Sequence, residues 1–594
     1  MGNRINAMVK QLPPRSKVKP ADTWDLSSLF ASDDAWEEAF KAWEGGIGEY
    51  ARFQGTLAES PQSLANCLQF DLDLDRAAER LGNYAFLKTA EDVGESKYQR
   101  MHGRFLAVAS RAAQAASFIR PEVLAIPSAK MKTFLDSPAL APYKLLLQRV
   151  LRFKPHTLGK KEENLLAMQT EMAQAANQIF RQLNDADLRF GGIKNDRGDV
   201  VELSHATFST LLHAPDRAVR RKAFRQYYRE YADHAHTLAA SLAGSVQADI
   251  YYAKARNYPG ALEAALFPDQ VPVTVYENLI GSVHRHLPGL HRYYDVRRRK
   301  MRLKDIHHYD TYVPILAGLQ RRHTWDQAVN VVLKSLEPLG SDYCGALEKG
   351  LRGRWCDRYE NRGKQSGAFS SGSFDGDPYI LMNYQPDVLD HVFTLAHEAG
   401  HSMHSWHSTR RQPFAYYNYV IFVAEVASTF NEQLLSRYLL QNARNDQERA
   451  FLINRQLDAM RATIFRQTMF AEFEKLAHQS AESGEPLTLE RFKEIYRGLL
   501  GQYFGPDFVL DEELALECLR IPHFYRAFYV YKYATGMSAA ISLAERVTSG
   551  GQRALNDYLN FLQGGCSKDP LRRDPDVYPR FPSSTGSSKL RRTA

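Results

Sequence analysis

Along most of this chain apolar residues recur at spacings of three and four, a period that fits α-helices and not strands. Between Glu162 and Asn184, for example, Leu165, Met168, Met172 and Ala175/Ala176 follow it. The pattern runs from Trp24 to about Leu183 and resumes over 206–300, including Asp216 to Tyr252. It returns at about 386–408, 415–440, 446–478, 489–503 and 524–547. Two interruptions stand out. Phe190-Gly191-Gly192-Ile193, the Asn195–Asp199 turn and Val200–Leu203 read as a small hairpin, and 185–205 as a candidate domain boundary. Across 362–385, Gly363, Gly367, Gly372 and Gly376 alternate with short apolar runs, so strands and tight turns outnumber helix signals there. The expected fold class is therefore mainly α, a large helical body with a small β-sheet, and no solenoid repeat is present.

With 594 residues, 44% apolar and 24% charged, the chain can bury a sizeable core, and collagen-like, disordered and disulfide-scaffold classes are excluded. No apolar run approaches the ~20 residues that cross a bilayer, so no membrane is expected as a partner. The five cysteines are odd in number, scattered and never in a CxxC pair, as for reduced thiols, and a cytoplasmic location is expected. The formal charge of +8 lies in the ends: residues 1–20 hold five cations and no acid, and 568–594 hold seven cations against three acids. The rest is close to neutral, so no nucleic acid is expected on the body. Residues 1–20 and 576–594 are expected to be basic disordered tails.

The chemistry is carried by His397-Glu398-Ala399-Gly400-His401, inside a segment of helical period from Asp387 to Trp406. On a helix, positions i and i+4 share a face, so the two imidazoles can hold one metal ion while Glu398 projects beside it. Neutral imidazole suits zinc, with cobalt or manganese as alternatives, and the carboxylate can take a proton from a metal-bound water. A catalytic zinc needs a third protein ligand. Candidates for it are His404, His407 and downstream carboxylates. In the apolar helical run Phe422–Glu432 the only acids are Glu425 and Glu432, seven apart and on one face. An acid on such a helix is costly to bury unless paired or metal-bound, which makes Glu425 a good third ligand and fits Glu432 as a partner for a ligand imidazole. His404 is expected beside the ligands or on the polar surface.

His397-Glu398-x-x-His401 followed by Glu425-x-x-Ser428-x-x-x-Glu432 resembles the thimet-oligopeptidase-like zinc metallopeptidases, and most of all their bacterial branch, oligoendopeptidase F. The resemblance extends to Ser366–Ser370, Leu395-Ala396, Ile521-Pro522-His523-Phe524-Tyr525 and Phe528–Gly536, and covers roughly 200–575. It implies a clam-like helical body with a deep channel that admits short unstructured peptides. It also implies a lid-like helical region at 21–195 and a catalytic domain at 196–575. His397, His401 and Glu425 then bind one zinc per chain, and Glu398 is the general base.

Peptide hydrolysis builds negative charge on the carbonyl oxygen, and donors placed there lower the barrier. His523, Tyr531 and Tyr529 are the expected donors, in a region where the family uses a His and tyrosines; Tyr533 stands nearby. The Gly-rich segment, 367–373 or 379–383, offers a sheet edge to an extended peptide. The expected activity is zinc-dependent endopeptidase cleavage of oligopeptides, serving peptide turnover. An exopeptidase on the same zinc chemistry and a silent peptide-binding module are the alternatives; an intact Glu398 speaks against the second, because binding needs no base.

Overall fold

The computed structural model describes residues 11–316, 318 and 321–569. Their contacts divide them into two compact units, one within Met1–Lys154, Gln320–Asn442 and Ala539–Val577, the other within Pro155–Leu319 and Ala443–Ser538. The class is mainly α: the described strands are two or three residues long and form three small sheets.

In the first unit the helix Pro61–Glu91 begins where the Ser60 hydroxyl accepts from the Ser63 N–H, with Pro at the first helical position, where no N–H partner is needed. Its buried face, with Leu81, Tyr84, Ala85 and Leu87, meets Trp36, Phe40 and Trp43 of Asp33–Gly46 and Met101 and Val108 of Ser96–Ala116. Full burial of a side chain such as Leu81 or Phe40 contributes about 1.5–3 kcal/mol. The same cluster takes in Tyr379 and Leu381. Residues between Trp24 and Val108 thus share a core with the central strand of a later sheet, and the chain up to Lys154 belongs to that unit, while residues from Pro155 to Leu319 join the second. The contacts therefore divide the chain elsewhere than the expected 195/196 boundary. The hairpin itself forms, with Gly192–Lys194 antiparallel to Val200–Glu202, but inside the second unit.

That later sheet has the order Cys356–Asp357, Tyr379–Leu381, Phe369–Ser371. The outer pair is antiparallel, with Phe369 opposite Leu381 and Ser371 opposite Tyr379; Cys356–Asp357 runs parallel to the centre. The two expected strands are present, and Phe369–Ser371 lies at an edge.

The expectation of a disordered tail over residues 1–20 needs correction for its described part. Arg15 donates to Asp357 Oδ2 at 2.5 Å and to Asn361 Oδ1 at 3.3 Å, and the Arg362 N–H bonds Pro13 O. Burial disfavours the Arg15 charge, but Asp357 and Glu91 outweigh it and raise its pKa. A basic residue in a tail is ordinarily solvated, whereas this one meets a buried acid that needs a cation. Residues 1–10 and 576–594 lie outside the described residues.

In the second unit, Arg217–Asp233, Ala235–Ala255, Val273–Lys300, Arg466–Glu482 and Leu489–Phe504 are the main helices. Glu517, fully buried, accepts from Arg466, Arg520 and Tyr496 at 2.7 Å each. Burial works against its charge, and the two guanidiniums more than reverse this, holding its pKa well below the usual range. Several expected helices are interrupted. The 446–478 run contains a wide turn at Arg461–Phe465, and 162–184 is split into short pieces. There Leu165, Met168 and Met172 are exposed, while Leu166 and Phe180 face inward.

Candidate active site

The motif helix runs from Leu389 to Arg411. Val392, Leu395, Ala396, Ala399 and Met403 are buried, and this rotation leaves His397 and His401 half-buried one turn apart, ring centroids 4.9 Å from each other. The face they share meets the helix Ile421–Gln441, and Gly400 sets how close the two backbones come. A Cβ at Gly400 would lie 2.5 Å from Ser428 Cα and 2.6 Å from Ala427 O. Through this contact Glu425, nearly one turn before Ser428, reaches the histidines: its Oε2 is 3.6 Å from His397 Nε2 and 4.0 Å from His401 Nε2. One donor atom from each of the three lies within 4.8 Å of the others, the compass of a zinc ion with bonds of about 2.0–2.2 Å.

The next layer fixes this arrangement. His397 Nδ1 donates to Glu432 Oε1 at 2.7 Å, which leaves the Nε2 lone pair turned towards Glu425. Asn431, fully buried, donates to Ala396 O at 3.1 Å and accepts from the Tyr343 hydroxyl at 3.3 Å, which ties the two helices together beside the motif. Sequence reasoning missed Asn431; a buried amide in an apolar helix next to a ligand partner was the available signal. Ser370 Oγ, on the edge strand, is 2.8 Å from Ser402 Oγ on the motif helix.

Burial pushes His401 down to about 3, with His397 adding to the shift, so its imidazole is neutral as a ligand must be. For His397 burial also opposes the charge, but the Glu432 hydrogen bond and the charges of Glu432, Glu398 and Glu425 outweigh it and raise its pKa. Burial pushes Glu398 up to about 7, with His397 opposing and Glu425 adding to the rise. Glu398 is 6% exposed, and its Oε2 is buried with no hydrogen-bond partner. Two imidazoles and a carboxylate converging on one point, beside a buried carboxylate oxygen with no protein partner, fit a hydrolytic zinc and its water. Glu432→Ala should weaken metal binding about 10- to 100-fold, measured by chelator competition, because His397 then loses its tautomer and ring orientation.

His404 is not on the surface. It is fully buried, its ring stacked on Tyr419 at 3.6 Å, and the Tyr419 hydroxyl is 2.8 Å from Ser405 Oγ. The expected donors belong to the second unit, where His523, Tyr529 and Tyr533 stand together: His523 is 6.2 Å from the Tyr529 ring and 6.1 Å from Tyr533, and the two tyrosines are 5.4 Å apart. Tyr531, preferred on sequence, packs on Tyr276. It is fully buried with its ring 5.1 Å from Tyr276, because the helix Tyr531–Ser549 starts at this residue and turns it inward.

Residues 210–586 match the model of peptidase family M3, and 122–190 match that of oligopeptidase F. The chain is 41% identical to oligopeptidase PepF of Bacillus subtilis over 94% of its own length and 84% of that protein. A crystal structure from Chlamydophila abortus is 34% identical with a TM-score of 0.89, each chain covered to 96%. That of oligoendopeptidase-F from Enterococcus faecium is 33% identical with a TM-score of 0.69, covering 91% of this chain and 93% of that one. The chain belongs to peptidase family M3, in its oligoendopeptidase F branch, and is a metalloendopeptidase.

Proposed function

We propose that this peptidase is zinc-dependent, takes short unstructured oligopeptides, uses Glu398 as general base and acts in cytoplasmic peptide turnover. The observation that carries the reading is the convergence of His397 Nε2, His401 Nε2 and Glu425 Oε2 beside the buried, unpartnered Oε2 of Glu398. Zinc bound there supplies Lewis-acid polarisation of the scissile carbonyl and a more acidic water. Glu398 takes the proton of the attacking water and then delivers it to the leaving amine nitrogen, so the carboxylate is regenerated as the C–N bond breaks. Glu432 keeps His397 in one tautomer throughout.

His523 and Tyr529 are proposed as donors to the carbonyl oxygen, supported by the resemblance of Ile521–Gly536 and by their common grouping. His523→Ala and Tyr529→Phe should each lower kcat about 10²-fold with less change in KM. Peptide class and mode of attack are tested with a terminally blocked oligopeptide, its products mapped by mass. Internal cuts are expected, with folded proteins left intact. Cuts confined to one end of an unblocked peptide would replace this reading with an exopeptidase, and zinc binding without cleavage would replace it with a binding module.

A further inference from the structure

Among the described residues four that are not glycine have a left-handed backbone, and three of them, Asn257, Gln270 and Arg302, follow helix ends. The fourth is Phe528, with φ +57°. A bulky aromatic residue in this region is strained and persists only where its surroundings over-determine it, and such strain gathers at functional sites. Two groups hold it here. The Phe528 N–H donates to Glu474 Oε1 on the helix Arg466–Glu482 at 3.0 Å. The Phe528 ring, 2% exposed, lies 4.6 Å from His478 and 5.9 Å from Tyr276. Glu474 is 2% exposed, and its second oxygen is buried without a hydrogen-bond partner. Burial pushes its carboxyl well above the usual range, against the pull of the Phe528 N–H. An acid buried at such cost for one backbone bond has that bond as its use.

The bond lies in the segment that carries His523, Tyr529 and Tyr533. Phe528 and Tyr531 both pack on Tyr276, whose own hydroxyl donates to Ala471 O at 2.6 Å. Tyr529 and Tyr533 turn the other way, to His523. We infer that Glu474 and Phe528 form a latch that fixes the orientation of Tyr529 and His523, which makes Glu474 a positioning residue for the two donors. The inference rests on the proposed role of those donors. Glu474 touches no reacting group; it acts through the backbone turn at Phe528, one residue before Tyr529.

The test uses the zinc-loaded full chain with the blocked peptide, and limited trypsin cleavage after the exposed Arg526 of the metal-free chain. Glu474→Met, which has no acceptor, should lower kcat about 10- to 100-fold with KM nearly unchanged and speed the cut after Arg526. Glu474→Gln, whose amide oxygen still accepts from Phe528, should restore both. In a His523→Ala/Tyr529→Phe background Glu474→Met should lower kcat no further, because the groups act as one unit. An equal loss in both backgrounds, a Gln variant as poor as Met, or a Met variant unchanged in kcat and trypsin cleavage would each overturn the latch. If His523→Ala and Tyr529→Phe leave kcat intact, the donor assignment fails by itself, and the trypsin rates still read the latch. Should Glu474→Met not fold, Phe528→Gly, which keeps the φ but loses the anchoring ring, should give the same losses.

Discussion

Glu398→Gln should bind zinc as the wild type does and lose roughly 10³-fold or more in kcat, as removal of a positioned general base does. The three donors converge without Glu398, so the metal site survives its substitution. The amide keeps the size of the carboxylate at a site only 6% exposed, so packing is preserved, but it cannot accept the proton of the attacking water. The result is read as kcat on a blocked peptide together with the metal content of the same sample. Retained activity would remove Glu398 from the mechanism; lost zinc would make it a structural partner of the site.

Gly400→Ala should be nearly as damaging by a different route. The added Cβ would stand 2.5 Å from Ser428 Cα and 2.6 Å from Ala427 O, both backbone atoms that no side-chain rotation can move. The helices Leu389–Arg411 and Ile421–Gln441 must part, and Glu425 on one of them then draws away from His397 and His401 on the other. Overpacking of this kind costs about 1–3 kcal/mol of stability or more. The larger effect is on the metal: zinc content and peptidase activity should fall together, while Gly498→Ala, at a helical glycine with nothing within 4 Å, leaves both unchanged.

How much of this was legible in sequence follows from how local each feature is. His397 and His401 need only the 3.6-residue period, and Glu425 and Glu432 stand out as the acids of an otherwise apolar helix, so the candidate ligands and their proposed orienting partner come from within two helices. The role of Gly400 was hidden because it depends on a neighbour 28 residues away along the chain, although a glycine inside a helix already asks for a reason, at a cost of about 1 kcal/mol relative to alanine. The segment 524–547 reads as one helix, yet the left-handed Phe528 delays the helix to Tyr531, and that offset decides which tyrosine faces inward. Aromatic spacing alone cannot show it, because the deciding contacts are with Glu474 and Tyr276. Arg15 reads as part of a solvated tail because its partner, Asp357, is more than 300 residues distant. The periodicity at 162–184 identifies helix but not its buried side, since Leu166 and Phe180 face inward while Leu165, Met168 and Met172 do not.

The most direct test of the central claim is metal analysis of the purified chain coupled to cleavage of the blocked peptide before and after chelation. The account predicts one zinc per chain, loss of internal cleavage as zinc is stripped, recovery when zinc is returned, and neither zinc nor cleavage in Glu425→Ala. Cleavage that persists in the metal-free chain, or zinc bound at full occupancy in Glu425→Ala, would contradict it.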